Sequence, residues 1–321
     1  MDISVRHLQE NPVTRKPIGI IGASSVVAEY LTQVLPAQYQ PLLFSRSASE
    51  GQTTGVAEAT VPLWISVMPI WATSNYFGLF LARGARRIVA VSSTSRFTKA
   101  ESPIESERLV AAQLAEGEQA LARWASACGV EFLILRPTII YGRGRDLNLS
   151  LIARFIARFG FFPVAGAATG RRQPLHAQDL AIACIQALET KHLTGKTYEV
   201  SGGETLSYYE MVGRIFDALG KRRLIVRLPM SVFSAGISCA RLLPAFNHLT
   251  PAMARRMKED LVFDNTGAIQ DLGFAPRSFS NNRRLASSAT KTQRLAACPP
   301  VYLHRPAERH LDARILHAIQ S

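Results

Sequence analysis

The feature that most constrains this chain is an alternation. Short runs that are apolar nearly throughout are separated by stretches whose apolar residues recur at helical spacing. The runs are Pro17 to Ile21, Pro41 to Ser45, Leu63 to Met68, Arg87 to Val91 and Glu131 to Leu135. Strands apolar on both faces must be covered on both faces, and strand-helix alternation builds a parallel α/β sheet. Helices are expected over Ser25 to Leu35, stopped by Pro36, and over Leu149 to Phe159, Gln178 to Leu188 and Tyr208 to Leu219. Glu105 to Ala127 is the longest, with an apolar stripe at Val110, Leu114, Leu121, Trp124 and Cys128 and a stop at Gly129. No third strand is evident between Ser47 and Val61.

Composition narrows the class. The chain has 321 residues, 47% hydrophobic and only 19% charged, enough apolar material for one large or two modest cores and too much for a disordered protein. A membrane-spanning helix needs roughly 20 apolar residues. The longest candidate, Leu228 to Phe246, is interrupted by Pro229, Arg241 and Pro244, so no span is expected. The opening MDISVRHLQENPVTRKP has no apolar core of a secretory signal. Cys128, Cys184, Cys239 and Cys298 form no CxxC pair, which argues against a zinc site or a disulfide framework, and no metal site is expected. A cytoplasmic location is the expectation.

The net charge is +13, with 30 arginines and 7 lysines. Residues 281–321 hold seven basic and two acidic residues and so supply +5; the remaining +8 reads as diffuse. No nucleic-acid motif accompanies it, and a phosphate-rich small ligand explains it as well as a nucleic acid does.

The first strand-turn-helix reads GIIGASSVVAEYL. Glycines in such a turn let the backbone approach a pyrophosphate, which then sits on the helix N-terminus. Gly22 is present, and Ser25 and Ala28 stand where two further glycines are expected. Gly22, Ala23, Ser24 and Ser25 are therefore candidate cofactor-binding residues, though small residues also suit an ordinary turn. Arg46 follows the second strand, where an arginine suits the 2′-phosphate of NADP and an acid suits NAD; a solvated loop arginine is the other reading.

Four motifs then occur in order: VSST (Val91 to Thr94), LRPTIIYGRG (Leu135 to Gly144), RQPLHAQDLA (Arg172 to Ala181) and YEVSGGETLSYYEMV (Tyr198 to Val212). Over Lys16 to Arg277 the chain resembles the NAD-dependent epimerase/dehydratase family, the extended short-chain dehydrogenase/reductases acting on nucleotide sugars. The resemblance implies a Rossmann-like doubly wound parallel sheet with a smaller C-terminal substrate domain. Residues 14–148 would form the NAD(P)-binding domain, with a later strand near 174–200 returning to it. Residues 149–173 and 201–280 would bind substrate, and residues 281–321 would be a basic, poorly ordered tail.

The resemblance also assigns roles. Thr94 aligns with the family's catalytic Ser/Thr, with Ser93 beside it, although a polar strand end would look the same. Ser66, Val67, Ser92, Arg136 and Pro137 join the cofactor set. Arg172 aligns with the arginine that clamps a nucleotide-sugar diphosphate, and a guanidinium fork suits phosphate oxygens. The cofactor is expected to be NADP or NAD, with NADP favoured by Arg46. The expected partners are a nucleotide-sugar-like small molecule and a second copy of the chain as a homodimer, with no nucleic acid.

One departure is large. The family's YxxxK pair falls on Val110 and Leu114, eight and four residues before Glu118, and neither side chain transfers a proton. Lys99, close in sequence to Thr94, and Tyr141, after the Arg136-Pro137 strand, are the candidate replacements in catalysis and substrate contact. A solvated loop lysine is the competing reading of Lys99. His176 reads as a packed strand residue and Asp179 as a helix cap. Two functions stay open: an atypical nucleotide-sugar epimerase, dehydratase or reductase, and a catalytically silent NAD(P)-binding relative acting as a sensor or assembly protein.

Overall fold

The structure is a computed structural model that describes residues 15–44, 60–144, 146, 149–240 and 252–279. The first half contains β1 (Lys16–Ile21), α1 (Val26–Val34), β2 (Tyr39–Phe44), β3 (Leu63–Ser66), a 3₁₀ segment (Ile70–Tyr76), α2 (Phe77–Ala82), β4 (Arg87–Val91), α3 (Ser95–Thr98), α4 (Glu105–Cys128) and β5 (Glu131–Pro137). The second half continues with β6 (Ile140–Tyr141), α5 (Leu149–Phe159), β7 (Phe162–Ala165), β8 (Arg171–Arg172), β9 (Leu175–His176), α6 (Ala177–Glu189) and β10 (Lys196–Val200). It closes with β11 (Leu206–Ser207), α7 (Tyr208–Ala218), β12 (Ile225–Leu228), α8 (Met230–Ala240), α9 (Ala252–Arg256) and α10 (Thr266–Leu272).

Six strands form one parallel sheet in the order β10-β5-β4-β3-β1-β2. The chain steps from β1 to β2 on one side, then crosses back to β3 on the other. That reversal opens a crevice at the carboxyl ends of β1 and β3, where doubly wound sheets bind ligands. β10 brings the chain back to the sheet beside β5, Val200 opposite Pro137. The expected doubly wound architecture is present. Among the described residues β2 is an edge strand; Arg46 lies outside them, as do residues 281–321.

Both sheet faces are covered, which explains the apolar runs. On one face α1 and α6 pack through Leu31, Leu180 and Cys184 against Ile18, Ile20, Val89 and Leu133. On the other, α4 and the 3₁₀ segment pack through Leu114, Leu121 and Ile70 against Trp64, Ile88 and Ile134. Two glycines set these distances. A Cβ at Gly19 would fall 2.2 Å from the Trp64 ring, and one at Gly117 would fall 2.6 Å from the Trp71 nitrogen. Small residues carry the α4 contact, so its buried stripe is Ala111, Leu114, Gly117, Glu118, Leu121 and Ala125. The expected stripe is corrected there: Val110 and Trp124 are half-buried and Cys128 is exposed. Close backbone approach selects small side chains, whereas the sequence pattern draws attention to large ones.

The second half builds two smaller cores. Ile152, Ile156, Met211, Ile215 and Phe216 join α5 to α7, and Val164, Ala165, Phe233, Ile237 and Met257 join β7 to α8 and α9. β7 pairs with β12, β8 with β11 and β6 with β9.

Candidate active site

The β1–α1 turn has the shape a pyrophosphate needs. Gly22 has φ +91°, and a Cβ there would lie 2.9 Å from the Met68 nitrogen, so only glycine fits between β1 and the chain leaving β3. The backbone of that exit is tied in turn, Val67 N–H donating to Ile21 O at 2.9 Å. Ser25 caps α1 by accepting the Ala28 N–H at 3.0 Å, which leaves its own hydroxyl hydrogen for an anion. The amides of Val26 and Val27, in the first turn, have no carbonyl four residues back within the helix. Ser24 is exposed, and Ala23 is half-buried. These features fit a dinucleotide phosphate. Ser66 does not face it: its hydroxyl shares a buried hydrogen bond of 3.1 Å with Thr73.

Beyond β4 and β5 the structure assembles a charged network that the motif reading missed. Glu118, 4% exposed, accepts from Ser92 Oγ at 2.6 Å, from Arg136 Nε at 2.9 Å and Nη2 at 2.5 Å, and from Arg96. Arg136 also donates to Glu199 on β10 at 3.0 Å, and its guanidinium lies 5.0 Å from the Phe97 ring centre. Burial alone would raise the Glu118 carboxyl, but hydrogen bonds from Arg136 and Ser92 and the charges of Arg136 and Arg96 hold it below its ordinary value. The signal in the sequence was a glutamate in the apolar stripe of α4, at a position four beyond Leu114. Buried carboxylates require partners.

The expected catalytic residues follow this network. Thr94 N–H and Oγ1 both donate to the Pro137 carbonyl at 3.1 Å, so Thr94 clasps β5 to the loop after β4. Its hydroxyl hydrogen points at the protein rather than outward, which does not fit the catalytic role that the resemblance assigns to it. Ser93 Oγ accepts the Ser95 N–H at 3.1 Å. Lys99 ends α3, and its ammonium makes no hydrogen bond or ion pair among the described residues. Burial lowers its pKa, opposed by the charge of Glu107, with Arg256 lowering it further. Glu107 and Arg256 are themselves an ion pair joining α4 to α9, so Lys99 sits at the seam between the sheet and the second half. Phe97 and Phe263, 6.3 Å apart, line the same seam.

Three expectations are corrected. Arg172 is 5% exposed, and its fork is filled by protein carbonyls: Nη1 donates to Arg171 O at 2.8 Å and Glu259 O at 2.7 Å, and Nη2 to Arg256 O. Tyr208 covers its other side, 5.6 Å away. It holds the segment after α9 in place instead of reaching a diphosphate. Tyr141 is enclosed between His176 and Phe279, with ring centres 5.1 and 5.0 Å away, and burial pushes its pKa up to about 12. Asp179 is not the cap of α6; that position belongs to His176, whose Nδ1 accepts the Gln178 N–H at 3.1 Å. Asp179 instead binds Arg277 through Nε at 2.7 Å and the backbone N–H at 3.0 Å. The His176 ring is buried and neutral, its pKa pushed down to about 4 by burial, with Arg277 adding to the effect. Val110 and Leu114 both face the α4 core.

An open depression of about 520 Å³ adjoins the network through Glu199 and Phe263. Its lining also holds Asp264 and Asp271, an acidic character unsuited to a diphosphate.

Comparison with known proteins agrees with this fold. The NAD dependent epimerase/dehydratase family matches residues 70–201. The y4nG protein of Sinorhizobium fredii is 26% identical over 213 residues, 64% of this chain and 52% of its own length. The mitochondrial NADH dehydrogenase [ubiquinone] 1 alpha subcomplex subunit 9 of Arabidopsis thaliana is 30% identical over 106 residues, 33% of this chain and 26% of that protein. The aligned region thus spans about half or less of these relatives. Among solved structures, RMD from Pseudomonas aeruginosa complexed with NADPH superposes with TM-score 0.62 at 16% identity, covering 86% of this chain and 99% of that one. UDP-glucuronic acid 4-epimerase from Bacillus cereus in complex with NAD gives TM-score 0.62 at 13% identity, covering 88% and 100%. These likenesses show the shared fold. With its doubly wound sheet and the match over residues 70–201, the chain is similar to the NAD dependent epimerase/dehydratase family across that region.

Proposed function

We propose that this chain binds NAD(P) across the β1–β3 crevice and acts as an epimerase/dehydratase-type oxidoreductase on a small molecule of the nucleotide-sugar class, with Lys99 handling the proton. The observation that carries this reading is the condition of Lys99. Ser92, Arg96, Glu118 and Arg136 are committed to one another, and Thr94 to Pro137. Lys99, at the end of α3 with Glu107 and Arg256 as its charged surroundings, makes no hydrogen bond or ion pair among the described residues, and burial favours its neutral, proton-accepting form. The turn at Gly22, Ala23, Ser24 and Ser25 would hold the pyrophosphate, with Val67 and the Arg136-Pro137 backbone further along the crevice. Arg46 would favour NADP. The dinucleotide, when bound, supplies the hydride donor or acceptor; Lys99 would hold or take the proton of the reacting hydroxyl. The RMD and epimerase structures contain NADPH and NAD respectively, which supports a dinucleotide here.

Mass spectrometry of nucleotides released from the purified protein tests the cofactor. Turnover of a nucleotide sugar by wild type and Lys99→Ala tests the chemistry: general acid–base help is worth about 10²–10⁴-fold, and that loss is expected with NADP affinity unchanged. Full activity of Lys99→Ala would refute the assignment. A second reading, a silent NAD(P)-binding relative with an assembly role, is favoured by one observation: Val110 and Leu114 are core residues, not a proton-transfer pair. The likeness to an NADH dehydrogenase subunit adds to it. Released nucleotide without turnover of any nucleotide sugar would select that reading.

A further inference from the structure

The charge of this chain is not diffuse, contrary to the reading from composition. Residues 147–178 and 218–258 contain twelve Lys and Arg and no Asp or Glu. The two segments are neighbours in space: β7 pairs with β12, Phe162 opposite Ile225 and Leu228 opposite Ala165. Lys221 donates to the carbonyls of Ile156 and Ala157 at the end of α5, at 3.3 and 2.8 Å.

This acid-free region also exposes apolar side chains. Phe159 is 45% exposed, Leu224 55%, Val226 37% and Val232 52%. Phe159 belongs to an aromatic cluster with Phe155 and Phe161, at 4.6 and 6.5 Å. The next residue, Phe162, donates its N–H to Leu224 O at 3.0 Å, so these side chains lie on connected backbone. Leu224 and Val226 are two apart along an extended stretch and share a face, and α8, which carries Val232, starts two residues after β12. Exposed arginines flank them in sequence, with Arg227 on the opposite side of β12 from Leu224 and Val226. Arg158 lies 5.5 Å from the Phe159 ring and Arg227 4.6 Å from the Tyr209 ring. Neither forms an ion pair among the described residues, nor does Arg222. Arg223 is paired with Asp217 and Glu210.

We propose that the face made by the end of α5, β12 and the start of α8 docks on an anionic phospholipid bilayer. Stable attachment to a membrane surface takes two signals, apolar insertion and electrostatic attraction. This face supplies both, and the carboxylates beside it, Asp217 and Glu210, are held by Arg223. A nucleic acid would reward the arginines and leave Leu224, Val226 and Val232 without a use, because aliphatic side chains gain little against a phosphate backbone. The attachment is peripheral, since no helix of the described residues is long and apolar enough to cross a membrane. It does not depend on the catalytic proposal.

Flotation of the full-length protein with vesicles of phosphatidylcholine alone, and with equal parts of phosphatidylglycerol, tests it. Binding is expected only to the anionic vesicles at low salt. The double variant Leu224→Ser/Val226→Ser should bind about tenfold more weakly, and Arg158→Glu/Arg222→Glu should lose about fivefold or more per charge. All these side chains are exposed, so circular dichroism and Tm should match wild type. Failure to bind anionic vesicles overturns the proposal. So does binding that survives both double variants, which would place it in residues 281–321 or in general charge. Loss in the arginine variant alone also overturns it, because a merely cationic surface needs no apolar face. An oligonucleotide bound through these residues, with vesicles ignored, would reassign the face to nucleic acid.

Discussion

Replacing Glu118 by Gln probes the network beneath the candidate site without changing side-chain volume. The variant removes one negative charge, leaving Arg136, 14% exposed, and Arg96 without their shared partner. Removing one member of a buried ion pair costs about 3–5 kcal/mol, because the other charge stays desolvated. Arg136 keeps Glu199 at 3.0 Å, and Arg96 has a quarter of its side chain in water and can turn outward, so the lower end, about 3 kcal/mol, is expected. For a domain of this size that corresponds to a fall in Tm of about 6–12 °C, measurable by circular dichroism or calorimetry.

The same variant has a pH signature. The folded Glu118 carboxyl lies below its ordinary value of 4.5. Its contribution is therefore complete above that value and is lost as pH falls through the folded one. The gap between wild type and Glu118→Gln should be constant near neutrality and close progressively below about pH 4.5. A loss under about 1 kcal/mol, the worth of an exposed pair, would refute the reasoning. So would a gap that persists unchanged in acid.

Four further outcomes are expected. Gly22→Asp should abolish NADP binding by calorimetry, since it sets a carboxylate at the phosphate position and a Cβ 2.9 Å from the Met68 nitrogen; Gly22→Ala should weaken binding and stability through the second effect alone. Arg46→Ala should erase a roughly ten- to hundredfold preference for NADP over NAD, read as a ratio of Kd values; equal wild-type constants would refute it. Arg172→Ala should lower stability by about 2–4 kcal/mol in urea unfolding through its lost carbonyl contacts, and a folded variant with wild-type stability that binds a nucleotide sugar poorly would restore the diphosphate role. Truncation after Phe279 should leave Tm unchanged, whereas truncation after Arg277 should lower it, because Phe279 is buried against Tyr141 and its carbonyl accepts from Arg214 at 2.8 Å.

The elements were legible because each is a local pattern. Leu149 to Phe159 is a helix with the expected ends, and Arg87 to Val91 is a strand with the expected ends. Runs apolar on both faces require cover on both faces, so a parallel α/β sheet followed from the alternation, and its doubly wound order from the family resemblance. Gly22 was legible for a related reason: a strand, a tight turn and a helix within a few residues leave one place for φ > 0. The short helices α2, α3 and α10 carried too little periodicity to be seen.

The employment of the polar side chains was decided by tertiary structure. Arg172 reads as a phosphate clamp by position, yet its fork is filled by carbonyls 84 and 87 residues further along the chain. Glu118 looks like an ordinary mid-helix glutamate until β5 brings Arg136 against it and the loop after β4 brings Ser92 and Arg96. Two acid-free segments, far apart in sequence, become neighbours only when β7 pairs with β12. Periodicity and turn chemistry are properties of neighbours in sequence, so the chain alone determined them. A hydrogen bond or a charged face depends on groups that only folding brings within a few ångströms, and that part was set by the packing of the sheet against its second half.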